Sequence, residues 1–386
     1  MKHTEFDFDS VPDRRGTGSL KWDVGPDELP MWVADMDFPT CPAVRRALEE
    51  RVAHGVFGYT DVTDEWRAAV CGWFLRRHGL EVAPEWLIFA TGVVPILSSV
   101  VRKLTTPNEK VLLLTPVYNV FYNSIVNNGR QPLEVPLTYA DGVYDIDFAA
   151  LENGLADPQT TLMILCNPHN PVGKLWDRKT LARIGELAAR HHVVVVSDEI
   201  HCDLTNPGRD YVPFASVSEV CRNNCVVCFA PTKTFNLAGI QTAGAMVPDP
   251  FLRHKVWRAL NTDEVAEPNV FAIPAAVAAY TEGDAWLDAL RDYLFRNRQT
   301  VADFAERNIP DLRVVQGEAT YLVWLDCGAF CTDSAELAKE IRRKTGLYLS
   351  DGKQYGRGGE RFLRMNIACP QERLLDGLER LRRALL

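Results

Sequence analysis

Four short apolar runs, each stopped by a turn residue or a charge, constrain this chain more than any other feature. Lys110-Val-Leu-Leu-Leu-Thr115 ends at Pro116 and Thr161-Leu-Met-Ile-Leu-Cys166 ends at Asn167-Pro168. His192-Val-Val-Val-Val-Ser197 ends at Asp198, and Asn224-Cys-Val-Val-Cys-Phe229 ends at Ala230-Pro231. A strand alternates its side chains between two faces, so a run that is apolar throughout must be covered on both. Helical patterns run over Pro42–His54 and Thr63–His78, and Leu181, Ile184, Leu187 and Ala188 recur at helical spacing within Asp177–His191. Strands alternating with helices predict an α/β fold, a mostly parallel sheet sandwiched by helices. Ligands of such sheets gather at the carboxyl ends of the strands, so the residues that stop these runs are the candidates for chemistry.

After about residue 285 the pattern changes. A long charged helix (285–308), the β-rich Thr320-Tyr-Leu-Val-Trp-Leu-Asp326, a helix, a glycine-rich loop (352–359), a strand at Arg361–Asn366 and a final amphipathic helix predict a smaller α+β domain. Across 386 residues, 47% hydrophobic and 24% charged, a disordered state is excluded as the dominant one. The net charge of −9 argues against nucleic acid or an anionic membrane as partner, since both need a positive surface. The longest uncharged stretch, Val111–Gly129, carries Pro116 and four asparagines, which hydrocarbon would leave unpaired. The opening MKHTEFDFDS has no apolar secretory core, so the expectation is a cytoplasmic protein whose ten cysteines are reduced thiols. Cys225 and Cys228 lie three apart in a predicted strand, on opposite faces, and no second pair completes a zinc set, so no metal is expected.

Four strand-end features follow one another. Thr91-Gly92-Val93-Val94 turns into a helix whose free N–H groups suit a phosphate, or it is a plain strand–helix turn. Asn167-Pro-His-Asn170-Pro-Val-Gly173 holds two asparagines in a rigid turn. Asp198 sits at the mouth of a buried strand, where a carboxylate is costly unless it meets a cation or caps a helix. Lys233 follows another buried strand among small or apolar neighbours, where lost solvation would make a better amine nucleophile, although most lysines are surface charges. Together they are what pyridoxal phosphate needs: a lysine to form the imine and move the α-proton, an aspartate to keep the pyridine nitrogen protonated, a donor for the ring oxygen and a turn for the phosphate.

The chain resembles the fold-type I pyridoxal-phosphate enzymes of the class I/II aminotransferase group over nearly its whole length, and within them the cystathionine β-lyase (C–S lyase) branch. Pro30-Met-Trp-Val-Ala-Asp-Met-Asp-Phe-Pro39, Gly58-Tyr-Thr60, NPHNPVG, SDEIH and TKTFNLAG carry the resemblance, and ordinary aminotransferases lack the first block. It implies that Lys233 is the Schiff-base lysine and that Asp198 pairs with the pyridine nitrogen. Asn170, with His201 nearby, would face the ring hydroxyl, and Tyr118 would stack on the ring. Gly92, Val93, Val94 and Thr232 would hold the phosphate, with Tyr59 reaching it from the neighbouring subunit of a homodimer. Arg364 would clamp the substrate carboxylate by a bidentate contact, with Ala34, Tyr122 and Trp324 also at the substrate. Residues 45–285 would form the large cofactor domain, and 1–44 with 286–386 the small one. Two positions depart from the pattern: Ala230 stands where many relatives have a phosphate-binding serine, and Gln241 where ordinary aminotransferases have an arginine. The implied activity is α,β-elimination on cystathionine or a cysteine S-conjugate. The alternatives are transamination of an L-amino acid, or a regulatory protein of the MalY type that keeps the pocket.

Overall fold

Each of the four apolar runs is a strand in the computed structural model, which describes residues 6–386. Residues 1–5, on which the reading of the N-terminus partly rests, lie outside it. The central sheet has seven strands in the spatial order Leu87–Ala90, Ala243–Met246, Cys225–Phe229, Val194–Asp198, Thr160–Cys166, Lys110–Thr115 and Gln131–Pro136. Ala243–Met246 alone runs antiparallel to its neighbours. Both faces are covered, as the composition of the runs demands. Cys225, Val227 and Phe229 join the core on one face, and Val226 and Cys228 join the core on the other. The two cysteines are therefore buried free thiols on opposite faces. The helix Arg178–Arg190 covers one face with Leu181, Ile184, Leu187 and Ala188 buried, and its N-cap Asp177 accepts from Thr180 N at 2.7 Å.

Three strands had no legible run. Leu87–Ala90 and Ala243–Met246 have only four residues each, and the second is built from Ala, Gly and Met. Gln131–Pro136 carries two prolines, tolerable because it is the edge strand.

The C-terminal part forms a second, antiparallel sheet in the order Arg313–Val314, Leu322–Asp326, Phe362–Asn366 and Ser350–Asp351. The N-terminal segment is stitched to it: Leu29–Pro30 pairs in parallel with Leu347–Tyr348, Asn366 N donates to Met31 O, and Asp37 N donates to Ala368 O. Residues 31–38 thus form a strap lying against the smaller sheet. A cage of charges fixes its end. Asp37, 2% exposed, meets Arg14 at 2.7 Å, Lys21 at 3.1 Å, Arg373 at 3.5 Å and Trp22 Nε1 at 2.9 Å. Burial pushes the Asp37 pKa up, but Lys21, Trp22 and Arg14 outweigh it and hold the carboxyl below its usual value. Among the described residues, no helix is long and apolar enough to cross a membrane.

Candidate active site

Adjacent strand ends bring the candidates together. Asp198 closes its strand in register with Cys166 on one side and Cys228 on the other. Beyond Cys166, Asn167 N donates to Asp198 O at 2.9 Å and opens the turn that carries Asn170. Beyond Phe229, the chain enters the short helix Pro231–Thr234 that carries Lys233, and Thr234 Oγ1 donates to the buried Asp203 at 2.8 Å. Glu199, also buried, holds this corner from behind. Its carboxylate accepts from Ser197 Oγ at 2.8 Å, Phe214 N at 3.0 Å, Asn167 Nδ2 at 3.3 Å and the Tyr211 hydroxyl.

The charges in this corner act on one another. Burial and the Arg364 cation draw the Lys233 pKa down to about 8, against the opposing pull of Asp35 and Asp198. Burial pushes Asp198 up to about 7, although Ile200 N donates to it at 3.1 Å and Lys233 opposes the rise. His201 falls to about 3 through burial and the Lys233 and Arg364 charges, so it is a neutral imidazole at physiological pH. Burial pushes the Tyr118 pKa up, the Arg364 cation opposes the rise and Asp198 adds to it.

Arg364 comes from the smaller sheet. It is 5% exposed and donates from Nη1 to Asn170 Oδ1 at 3.3 Å and from Nη2 to Trp32 O at 2.9 Å. Its guanidinium lies over the Tyr355 ring, 4.9 Å from the centroid.

Between the two sheets runs the strap, and its carbonyls meet the site one after another. Trp32 O accepts from Arg364 and, at 3.2 Å, from Ser350 Oγ. Val33 O and Asp35 O both accept from Asn366 Nδ2, the latter at 2.6 Å. Ala34 O accepts from Lys233 Nζ at 2.6 Å and from the Tyr321 hydroxyl at 2.9 Å. Asn236 closes the series: its Oδ1 accepts from Met36 N at 3.0 Å, and its Nδ2 donates to Met36 O at 3.0 Å and Phe38 O at 2.9 Å. Asn236 sits at φ 57°, a left-handed conformation that asparagine tolerates better than most side chains.

Other predicted residues lie further out. Gly92, Val93 and Val94 open the helix Val93–Leu104 at the end of Leu87–Ala90, two strands from the lysine strand. Their first-turn N–H groups have no intrahelical acceptor. Thr232 and Ala230 are buried beside Lys233, and Gln241 is exposed at φ 57°. Tyr122 packs against Gly356 of the glycine-rich loop, and burial and Glu134 hold its pKa well above the usual value. Trp324 is the cross-strand partner of Arg364 and lies behind Tyr355, edge-on at 5.4 Å and stacked on Phe362 at 5.1 Å. Its Nε1 donates to the Tyr144 hydroxyl at 3.1 Å. Tyr59 is fully exposed. Sequence reasoning missed Tyr321, Asn236, Asn366 and Tyr355. Asn366 left a local signal, two residues from Arg364 on the same face of a strand, and Asn236 lay inside the TKTFNLAG motif without a role.

The model of the family described as "Aminotransferase class I and II" matches residues 27–381. The chain is 44% identical to cystathionine beta-lyase PatB of Bacillus subtilis, over 98% of this chain and 100% of that protein. Among solved structures, cystalysin of Treponema denticola, which contains pyridoxal 5'-phosphate, matches at a TM-score of 0.95 and 33% identity over 98% of both chains. The pyridoxal-phosphate-bound C–S lyase of Staphylococcus hominis matches at 0.93 and 30%, over 100% of this chain and 99% of that one. A family match across both sheets and the strap, with relatives aligned end to end, leaves one conclusion: the chain belongs to the class I and II aminotransferase family.

Proposed function

We propose that this protein is a pyridoxal-phosphate-dependent C–S β-lyase acting on L-cystathionine or a cysteine S-conjugate and releasing a thiol, pyruvate and ammonia. The observation that carries the reading is Lys233, a partly buried amine drawn down to about 8 and lying within the fields of both Asp198 and Arg364. The cofactor fits the polar groups around it. Asp198 is a buried carboxylate with one backbone donor, and His201 Nδ1 and Arg364 Nε are buried without a hydrogen bond from the described residues. Such groups call for polar partners. Bound there, pyridoxal phosphate supplies an electron sink for the substrate's α-carbon.

The chain's own residues do the rest. Lys233 would hold the cofactor and move the substrate's α-proton; an amine drawn down to about 8 is a competent base near neutral pH. Asp198 would hold the ring nitrogen and keep its proton in place. Asn170 and the neutral His201 would hold the ring oxygen, Tyr118 the ring, and the N–H groups at Gly92–Val94, with Thr232, the phosphate. Arg364 would bind the substrate carboxylate, with Tyr122 around the substrate beyond it and Trp324 backing Tyr355 from behind. Ala34 meets the substrate side of the site through its backbone. A homodimer completes the site when Tyr59 crosses to the partner's phosphate, which its full exposure supports. Residues 45–285 form one unit, and 1–44 with 286–386 the other; the pairing of Leu29–Pro30 with Leu347–Tyr348 supports that division.

Elimination is favoured over transamination by the end-to-end similarity to a cystathionine β-lyase. Both reactions use the same residues and differ in what happens after the α-proton leaves. The test is pyruvate release from L-cystathionine with no keto acid added. Elimination predicts turnover; turnover only when a keto acid is supplied would overturn the reading.

A further inference from the structure

Ala34 O carries two donors, Lys233 Nζ at 2.6 Å and the Tyr321 hydroxyl at 2.9 Å. Tyr321 is 1% exposed and belongs to no motif that marks the site. Its aim is built into the backbone. Thr320, immediately before it, is held at φ 68° with its N–H on Leu204 O at 2.7 Å. A buried arginine from the long helix, Arg298, donates to Thr320 O at 2.7 Å and Ala319 O at 3.0 Å. A non-glycine residue in that conformation persists only where its surroundings over-determine it.

We propose that Tyr321 is a positioning residue for Lys233: its hydroxyl occupies one lone pair of Ala34 O, so that the free amine has a single seat on the other. A carbonyl oxygen offers two such positions. The proposal rests on the reading of Lys233 as the cofactor lysine and adds a residue to it. The charge consequence has a definite sign. Two donors on one oxygen point their positive hydrogens toward each other, which disfavours the ammonium more than the neutral amine. Removing the hydroxyl frees the whole oxygen for the ammonium and should raise the pH at which the amine becomes reactive.

The test is Tyr321→Phe, which deletes one oxygen atom. The rate at which the full-length, cofactor-free chain takes up added pyridoxal phosphate, read by visible absorbance, rises with pH as Lys233 loses its proton. In the wild type that rise should centre near 8, the value to which Lys233 is drawn. In the variant it should shift upward by about half a pH unit, the scale of one neutral hydrogen bond. The acid limb of the kcat profile should shift the same way, and kcat should fall about tenfold while KM moves by less than about threefold. A rise that stays put or moves to lower pH overturns the inference. Borohydride after uptake separates this from the parent reading. A wild type that fixes no cofactor on Lys233 overturns both, whereas a wild type that fixes it there, with a variant of unshifted profile, overturns the role of Tyr321 alone.

Discussion

At the mouth of the central sheet, Asp198, Asn170 and Lys233 stand on a strand end, a turn and a short helix, and what they offer is their side chains. Along residues 31–38 the arrangement is reversed. Met31, Met36 and Phe38 bury their side chains in the core, while the carbonyls of residues 32–36 accept hydrogen bonds from Arg364, Asn366, Lys233, Tyr321 and Asn236. On the proposed reading, one region supplies reactive groups and the other supplies their seats. A reactive group tolerates almost no substitution, whereas a seat depends on where the backbone lies and can be disturbed from a distance.

The largest effect should come from the first region. Lys233→Ala should reduce turnover by about a thousandfold or more, as expected on removing a nucleophile that also moves the proton. Its stability profile sharpens the point. Lys233 has an ordinary value of 10.5 and about 8 when folded. Between those values the unfolded chain binds the additional proton, so the stability contributed by Lys233, read as cofactor-free wild type minus variant, should grow as pH rises from about 8 to 10.5. A difference between the two that does not change over that range would show that Lys233 is not the depressed amine described.

Next comes the strap's anchor. Asp37→Ala leaves Lys21, only 1% exposed, beside two arginines with Asp35 at 3.6 Å as its remaining carboxylate. Breaking a buried pair in this way costs about 3–5 kcal/mol, measured as the loss in a denaturant titration. A loss near zero would mean that the cage does not hold the strap.

A smaller effect is expected from Asn236→Ala, which deletes three hydrogen bonds between the lysine loop and the strap. The loss should be about 2 kcal/mol, with kcat/KM falling more than cofactor affinity does. Equal losses in both would argue that Asn236 supports the cofactor rather than the seat. Smallest should be Trp324→Phe, which keeps the stack on Phe362 and loses one indole bond to Tyr144. About 1 kcal/mol of stability and an unchanged KM are expected. A raised KM would make Trp324 a substrate contact in its own right.

The sequence made the first region legible for a physical reason. A charge that ends or closely follows a fully apolar run, as Asp198 and Lys233 do, has few inexpensive explanations, and two such residues after adjacent strands narrow them together. The strap was visible only as a motif. What it does depends on partners some 200 to 330 positions away: Asn236 bonds Met36, Lys233 and Tyr321 share Ala34, and Arg364 bonds Trp32. No periodicity records a hydrogen bond to a carbonyl. Tyr321 illustrates the gap, since it lies in the same run as Trp324 and nothing local tells the tyrosine at the lysine's seat from the tryptophan behind Tyr355. The three short strands were missed because four residues, or two prolines, leave too little pattern.

The measurement that bears most directly on the whole reading is peptide mapping after borohydride reduction of the protein loaded with pyridoxal phosphate. Cofactor mass on the peptide containing Lys233, and on no other lysine, is the predicted result. Cofactor on a different lysine, or on none, would contradict it.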